Sequence, residues 1–329
     1  MTKSIAVVTG GAGFIGSHTV DLLLQKNYIV RVIDNFSGGH ESNLIDHANN
    51  PNLTVFSEDI RKLSPKSPIF KGAYSVFHFA GIGDIVPSIE NPVKYFEVNV
   101  QGTIKVLECA RAAKVKKFLY AASSSCYGLA NTPTSEDHPI NPQYPYAQSK
   151  YQGEQVALHW ATVYGIPVIS IRIFNAYGPR VRTTGAYGAV FGVFLKQKLE
   201  NKNFTVVGNG LQQRDFIYVT DVSKAFYVAS ESKGDNVIYN LGGGSPKSIK
   251  YLVELLKGTV DYLPSRPGEP KVTWANISKI KNELDWVPEV LFEDGVAIMV
   301  EKINDWANAP LWNKKSIATA TKSWFKYLG

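Results

Sequence analysis

Only two cysteines, Cys109 and Cys126, occur in the chain. They are too few for a disulfide framework and suit a reducing, cytoplasmic setting. No apolar run approaches the length needed to span a bilayer, so membrane insertion is not expected. Met1-Thr2-Lys3-Ser4 leads straight into Ile5-Ala6-Val7-Val8 and then a glycine cluster, where a signal peptide would still be hydrophobic, so export is not expected. The six histidines show no ligand-like spacing with cysteines or carboxylates, and no metal site is expected. The net charge of +7 comes from scattered lysines and arginines with local clusters such as Lys114-Lys116-Lys117 and Lys314-Lys315. No RNP or zinc-finger pattern accompanies them, so nucleic acid is not the expected partner. Internal repeats and low-complexity tracts are absent. At 44% hydrophobic and 19% charged residues, disorder and collagen-like classes drop out. A length of 329 residues suffices for one large domain or two interlocked ones.

Short β-rich runs alternate with helical patterns from the first residues, the signature of an α/β fold with parallel strands joined by crossover helices. Strands are predicted near Ile5–Thr9, Ile29–Asp34, Leu53–Ser57, Ser75–Phe79, Lys117–Ala122 and Val168–Ile173. Helical spacing covers Ile15–Gln25, Val93–Ala113 and Tyr146–Tyr164, with Asn91-Pro92 as a helix start. After Phe174 glycine and proline become frequent and the alternation loses regularity, while Arg214–Ser230 reads as one more strand and helix. The expected architecture is a Rossmann-type doubly wound parallel sheet, residues 1–174 plus about 214–242. A smaller interleaved C-terminal lobe, about 175–213 plus 243–329, would bind substrate. Within Phe292–Ala307, the spacing of Val296, Met299, Val300, Ile303 and Trp306 reads as a buried helix face.

Gly10-Gly11-Ala12-Gly13-Phe14-Ile15-Gly16 lies between a predicted strand and helix. Gly10 and Gly13 let the backbone turn tightly and approach a pyrophosphate, and Gly16 lets the helix pack close to the strand. The N–H groups at the helix start, around Phe14 and Ile15, would hold the phosphates. Asp34 ends the second strand, where a carboxylate accepts hydrogen bonds from adenosine ribose hydroxyls and repels a ribose phosphate, which favours NAD over NADP. Arg31 and His40 are the nearby charges that bear on this choice. Asp59, after the third strand, reads either as an adenine contact or as an ordinary turn residue.

Tyr146-Ala147-Gln148-Ser149-Lys150 puts a phenol and an ammonium on one helix face at i, i+4. Bringing a tyrosine of pKa about 10 to neutrality costs roughly 4 kcal/mol. An ammonium at about 4 Å and an effective dielectric near 20 supplies about that much. The phenolate is then a general base. Upstream, Tyr120-Ala121-Ala122-Ser123-Ser124-Ser125-Cys126-Tyr127-Gly128 places hydroxyls at the carboxyl edge of the sheet, and Ser123 is the candidate catalytic hydroxyl.

With these elements in this order, the sequence resembles the extended short-chain dehydrogenase/reductase family, particularly its nucleotide-sugar 4-epimerases, from Thr9 through about Trp286. The matching stretches are the glycine turn, His78-Phe79-Ala80-Gly81, Asn99-Val100-Gln101-Gly102-Thr103, the serine run, Tyr146-x-x-x-Lys150, Arg172-Ile173-Phe174-Asn175, Arg214-Asp215-Phe216 and Arg266-Pro267-Gly268-Glu269. The resemblance implies NAD as cofactor and a catalytic set of Ser123, Tyr146 and Lys150. It implies a cofactor pocket that includes Asn35, Ile60 and Gly81, with Phe79, Ala80 and Asn99 lining or supporting it. It assigns Asn175 and Arg214 to a substrate diphosphate, Arg266 and Glu269 to the nucleoside, and Ser123 and Ser124 to the sugar. Arginine forks match phosphate oxygens, in agreement with this.

Three departures matter. Sugar 4,6-dehydratases of the family carry Asp-Glu after the catalytic hydroxyl, whereas Ser124-Ser125 lack the acid and base needed to eliminate water. Ile82-Gly83-Asp84 replaces a segment that often holds a lysine in galactose-type epimerases. Thr273 stands where those epimerases place a bulky aromatic beside the hexose C2, leaving room for an N-acetyl group.

The resemblance thus implies a 4-epimerase acting on UDP-glucose/UDP-galactose, the N-acetylated equivalents or another nucleotide sugar. Tyr146, assisted by Ser123, takes the C4 hydroxyl proton while the C4 hydride passes to NAD. The transient 4-keto sugar rotates, and hydride return inverts C4. Rivals are a UDP-glucuronate decarboxylase, a sugar reductase that releases oxidised cofactor and, outside enzymes, an NAD-sensing or RNA-binding protein on a Rossmann scaffold. The resemblance also implies a homodimer packed through Val93–Ala113 and Tyr146–Tyr164. The tail from Asn308 to Gly329 has no counterpart in it and is expected to cover the core with its aromatics.

Overall fold

A computed structural model describes residues 3–183 and 190–328. Met1 and Thr2 of the N-terminal reading, and Gly329 of the tail, lie outside the described residues. Six strands appear where expected: β1 (Ile5–Thr9), β2 (Ile29–Asp34), β3 (Leu53–Ser57), β4 (Ser75–His78), β5 (Lys117–Ser123) and β6 (Val168–Ile173). A seventh, Val237–Leu241, joins them in one parallel sheet of order Val237–Leu241, β6, β5, β4, β1, β2, β3. β5 and β6 are buried along nearly their whole length, because helices cover both faces of a parallel sheet and leave no solvent side for polar residues.

β1 pairs with β2 on one side and β4 on the other. The chain winds outward in opposite directions from this pair, which opens a crevice at the carboxyl ends of β1 and β4, the usual ligand position in such sheets. On one face, α1 (Phe14–Gln25) packs beside the helix Val219–Glu231 over Val8, Val32, Leu119 and Ile171. On the other, α4 (Thr103–Ala113) and α5 (Pro145–Tyr164) cover Val7, Val76, Phe118 and Val168.

The segment Val93–Ala113 is helical throughout, as expected, but a π-helical turn interrupts its α-helical winding. Ile85–Glu90 forms α2 and Pro92–Phe96 forms α3, with Pro92 in the first turn; a π-helical turn then spans Glu97–Gly102 before α4 begins. Such bulges occur where a side chain is needed out of phase with the helix. Here Asn99 turns inward and exchanges two hydrogen bonds with the Ile82 backbone, at 2.9 and 3.0 Å. Phe292–Ala307 likewise ends its α-helix at Glu301 and continues as a 3-10 turn, Ile303–Trp306, with Val296, Met299 and Trp306 buried.

Beyond β6, Asn175–Tyr177 pairs with Phe216–Tyr218, Gln213–Arg214 with Lys247–Ser248, and Phe204–Val207 with Val260–Leu263. These ribbons surround an aromatic-rich core that includes Tyr177, Phe191, Phe216 and Phe292. In the tail, Trp312 packs against this core and Trp324 is buried, whereas Phe325 and Tyr327 are exposed. Only part of the tail therefore covers apolar surface.

Candidate active site

A cleft of about 860 Å³ opens over the carboxyl ends of β1 and β4. Gly10 makes the turn out of β1 at φ +69°, and a Cβ there would lie 2.7 Å from the Ala80 nitrogen. Gly16 lets α1 approach the same turn, since its Cβ would be 2.1 Å from the Gly10 oxygen. Gly13 caps α1 without a side chain, and Phe14, Ile15 and Gly16 line the cleft. First-turn N–H groups have no carbonyl partner within their own helix, so this wall suits an anion.

Asp34 reaches the cleft from the end of β2, with Asn35 beside it. One carboxylate oxygen accepts the Ala12 N–H at 3.0 Å and the other the Phe36 N–H at 2.9 Å. Each oxygen keeps a lone pair for a ribose hydroxyl. Burial pushes its pKa up, and the two N–H donors pull it back. Arg31 does not line the cleft; it donates to the Ile69 and Lys71 carbonyls. Asp59 takes the turn role, capping the turn Ile60–Lys62 through the Arg61 N–H, and it also lines the cleft. The Arg61 guanidinium, at 2.6 Å, holds its carboxyl down to about 2. Ile60, Phe79, Ala80 and Gly81 complete the walls, with Phe79 packed on Phe226 at 4.7 Å. Asn99 does not line the cleft; from behind it ties the Ile82 backbone to Ser149 on α5, at 2.9 Å. The turn, the open helix start and the cleft-lining Asp34 carboxylate fit a dinucleotide.

Ser123 ends β5, and Tyr146 occupies the first turn of α5, fixed in place by Pro145. The Tyr146 hydroxyl donates to Ser123 Oγ at 3.3 Å, and Ser123 Oγ lies 2.8 Å from Ser125 Oγ. Lys150 is buried one turn on, its Nζ 4.5 Å from the Tyr120 ring centroid. The expected lowering of the Tyr146 pKa by Lys150 is not what these side chains alone produce. Burial pushes the phenol up, opposed by the Ser123 hydrogen bond. Burial also pulls Lys150 down to about 8, with Glu154 opposing. Desolvation disfavours both charged forms, and a spacing pattern carries no information about it.

A second cavity of about 510 Å³ adjoins the first, and Ser123, Tyr146 and Asn175 line both. Ser124, Arg214, Arg266, Glu269 and Thr273 line its remainder. The Thr273 hydroxyl donates to Asn175 Oδ1 at 2.8 Å. Glu269 pairs with Arg214 at 2.6 Å, because the short ribbon Gln213–Arg214 runs next to the loop that carries Glu269. Arg266 lies over the Trp324 ring at 5.5 Å. Tyr144, Thr321 and Trp324 also line this cavity, and sequence reading missed all three as site residues. A second aromatic two positions before the catalytic-type tyrosine was the available signal for Tyr144; nothing local marked the others.

Comparison with known proteins agrees with this geometry. The family model described as the NAD dependent epimerase/dehydratase family matches residues 6–242. The chain is 38% identical to a putative UDP-glucose 4-epimerase of Methanocaldococcus jannaschii, over 89% of this chain and 96% of that protein. It is 33% identical to UDP-glucuronic acid decarboxylase 1 of Arabidopsis thaliana, over 89% and 68%. Among solved structures, UDP-N-acetylglucosamine 4-epimerase of Methanobrevibacter ruminantium M1, in complex with UDP-N-acetylmuramic acid, superposes with a TM-score of 0.87 at 32% identity, covering 94% of this chain and 99% of that one. UDP-glucuronic acid 4-epimerase of Bacillus cereus, in complex with UDP-glucuronic acid and NAD, gives 0.85 at 32% identity, with 92% and 99% covered. No helix among the described residues is long and apolar enough to cross a membrane. A glycine turn built for a dinucleotide, a tyrosine–serine pair at its edge and this match over most of the chain lead to one conclusion: the protein belongs to the NAD-dependent epimerase/dehydratase family and uses NAD as its cofactor.

Proposed function

We propose that the protein is a UDP-sugar 4-epimerase that keeps its NAD bound through turnover. The observation that carries this reading is that Tyr146 and Ser123, joined at 3.3 Å, line both cavities, so one proton-transfer pair serves the place where sugar and cofactor would meet. When bound, NAD supplies the hydride acceptor and then the hydride donor at C4. Tyr146 takes the C4 hydroxyl proton and later returns it, with Ser123 steadying that proton. Lys150 supplies the positive charge that the buried phenolate needs. Residues 1–174 with about 214–242 form the cofactor part of this reading, and about 175–213 with 243–329 the substrate part. Arg214 and Asn175 hold the diphosphate, Arg266 and Glu269 the nucleoside end, and Thr273 leaves space beside C2 for an N-acetyl group. Ser124-Ser125 supply no acid–base pair for dehydration. A homodimer packed through Val93–Ala113 and Tyr146–Tyr164, working in the cytoplasm, completes the proposal.

The test is incubation of the purified protein with UDP-glucose, UDP-N-acetylglucosamine and UDP-glucuronate, with products read by NMR. Inversion at C4 in at least one sugar, without net redox change, is expected. Release of carbon dioxide from UDP-glucuronate, or stoichiometric consumption of NADH, overturns the reading.

A pH effect follows from Lys150. Below about pH 7 its ammonium is intact and supports the phenolate; as pH rises through about 8 the charge is lost. A pH–rate profile is therefore expected to show kcat falling on the alkaline side with a midpoint near 8. Lys150→Arg, which stays protonated, should lack that limb.

A further inference from the structure

The C-terminal helix Lys322–Leu328 lies against the mouth of the cavity assigned above to the nucleotide sugar, tied on both sides. Toward the substrate part, the Trp324 indole N–H donates to the Pro267 carbonyl at 2.8 Å. The same ring carries the Arg266 guanidinium on its face. Toward the sheet, the Ser323 hydroxyl donates to Glu90 at the end of α2, at 2.8 Å. Trp324 also packs against Tyr144, ring centroids 6.3 Å apart, and Tyr144 lies nearly parallel to Tyr146 at 11°. The tail thus braces the loop that carries Arg266 and Glu269, and it touches the aromatic next to the proton-transfer tyrosine. A buried indole N–H needs an acceptor wherever it packs, but the arginine on the ring face sets the tail against a residue of the substrate pocket.

We infer that Trp324 is a positioning residue of the nucleotide-sugar pocket, holding Arg266 and its loop in the orientation that grips the nucleoside end of the substrate. The inference rests on the UDP-sugar reading of the same cavity. A cation over a desolvated indole face gains enough to fix a flexible arginine, and freeing that arginine weakens binding by about tenfold.

The test uses the full-length, NAD-loaded protein with UDP as the probe. Titration calorimetry with UDP, steady-state kinetics with the sugar that is turned over, and thermal melting are compared for wild type, Trp324→Ala, Trp324→Leu and Trp324→Phe. Trp324→Ala is expected to raise the Kd for UDP and the KM about tenfold, with kcat falling by less than about threefold. Trp324→Phe keeps an aromatic face and should recover most of the affinity. Trp324→Leu fills the space without that face, so it is expected to behave like the alanine variant and carries the test should the latter not fold. Folded Ala or Leu variants that bind UDP as wild type does, or a Phe variant as impaired as they are, overturn the inference. Wild type that binds no UDP overturns the UDP-sugar reading and this inference with it; wild-type binding with unaffected variants overturns only the role of Trp324.

Discussion

Tyr146→Phe is expected to lower kcat by about a thousandfold while leaving the fold and the cofactor content as in wild type. The substitution removes one oxygen, and that oxygen makes a single 3.3 Å hydrogen bond to Ser123. Loss of such a bond changes stability by about 1 kcal/mol, and Ser123 keeps its contact with Ser125. The chemistry, by contrast, loses the proton acceptor proposed for it, and general-base contributions of about 10² to 10⁴ are typical. Steady-state kinetics, bound-nucleotide content and a thermal melt on the same sample check this. Activity above about a tenth of wild type would place the proton acceptor elsewhere.

The second large effect concerns the glycine turn. Gly10→Ala puts a methyl 2.7 Å from the Ala80 nitrogen and forces an L residue to φ +69°. The left-handed backbone costs about 1–2 kcal/mol and the overlap a further 1–3. Neither can be relieved by a side chain swinging aside, because the obstacle is backbone. Relief requires the turn and the Phe79–Ala80 segment to part, and these are facing walls of the dinucleotide cleft. A drop of about 2–5 kcal/mol in unfolding free energy and at least a tenfold loss of bound NAD are expected. Denaturant unfolding and quantification of released nucleotide measure both; a variant that holds NAD as wild type does would show that the turn does not approach the cofactor.

The sheet was legible because each of its first six strands is a short, largely apolar run bounded by turn residues, and burial on both faces leaves the central strands no alternative environment, whereas the edge strand β3 is largely exposed. The glycine turn was legible because its spacing expresses a steric requirement that glycine alone meets. The π-helical turn at Glu97–Gly102 was not, because its cause is a bond between Asn99 and the distant Ile82 backbone, while the local pattern still reads as helix. Arg214 and Glu269 were both identified as site residues, yet their mutual pairing depends on a short strand and a loop meeting across 55 positions of the chain. Trp324 was read only with the tail aromatics expected to cover the core for the same reason, its partner Pro267 lying 57 positions away. Tyr146 and Lys150 were found by spacing, but the direction in which burial pushes each of them depends on the surrounding fold.

Turnover of a UDP-sugar deuterated at C4, followed by NMR and mass spectrometry of the product, tests the central claim most directly. The inverted sugar is expected to carry its deuterium at C4, with none lost to water. Loss of the label to solvent, or inversion at a carbon other than C4, would contradict an oxidation and re-reduction of that one carbon beside Tyr146.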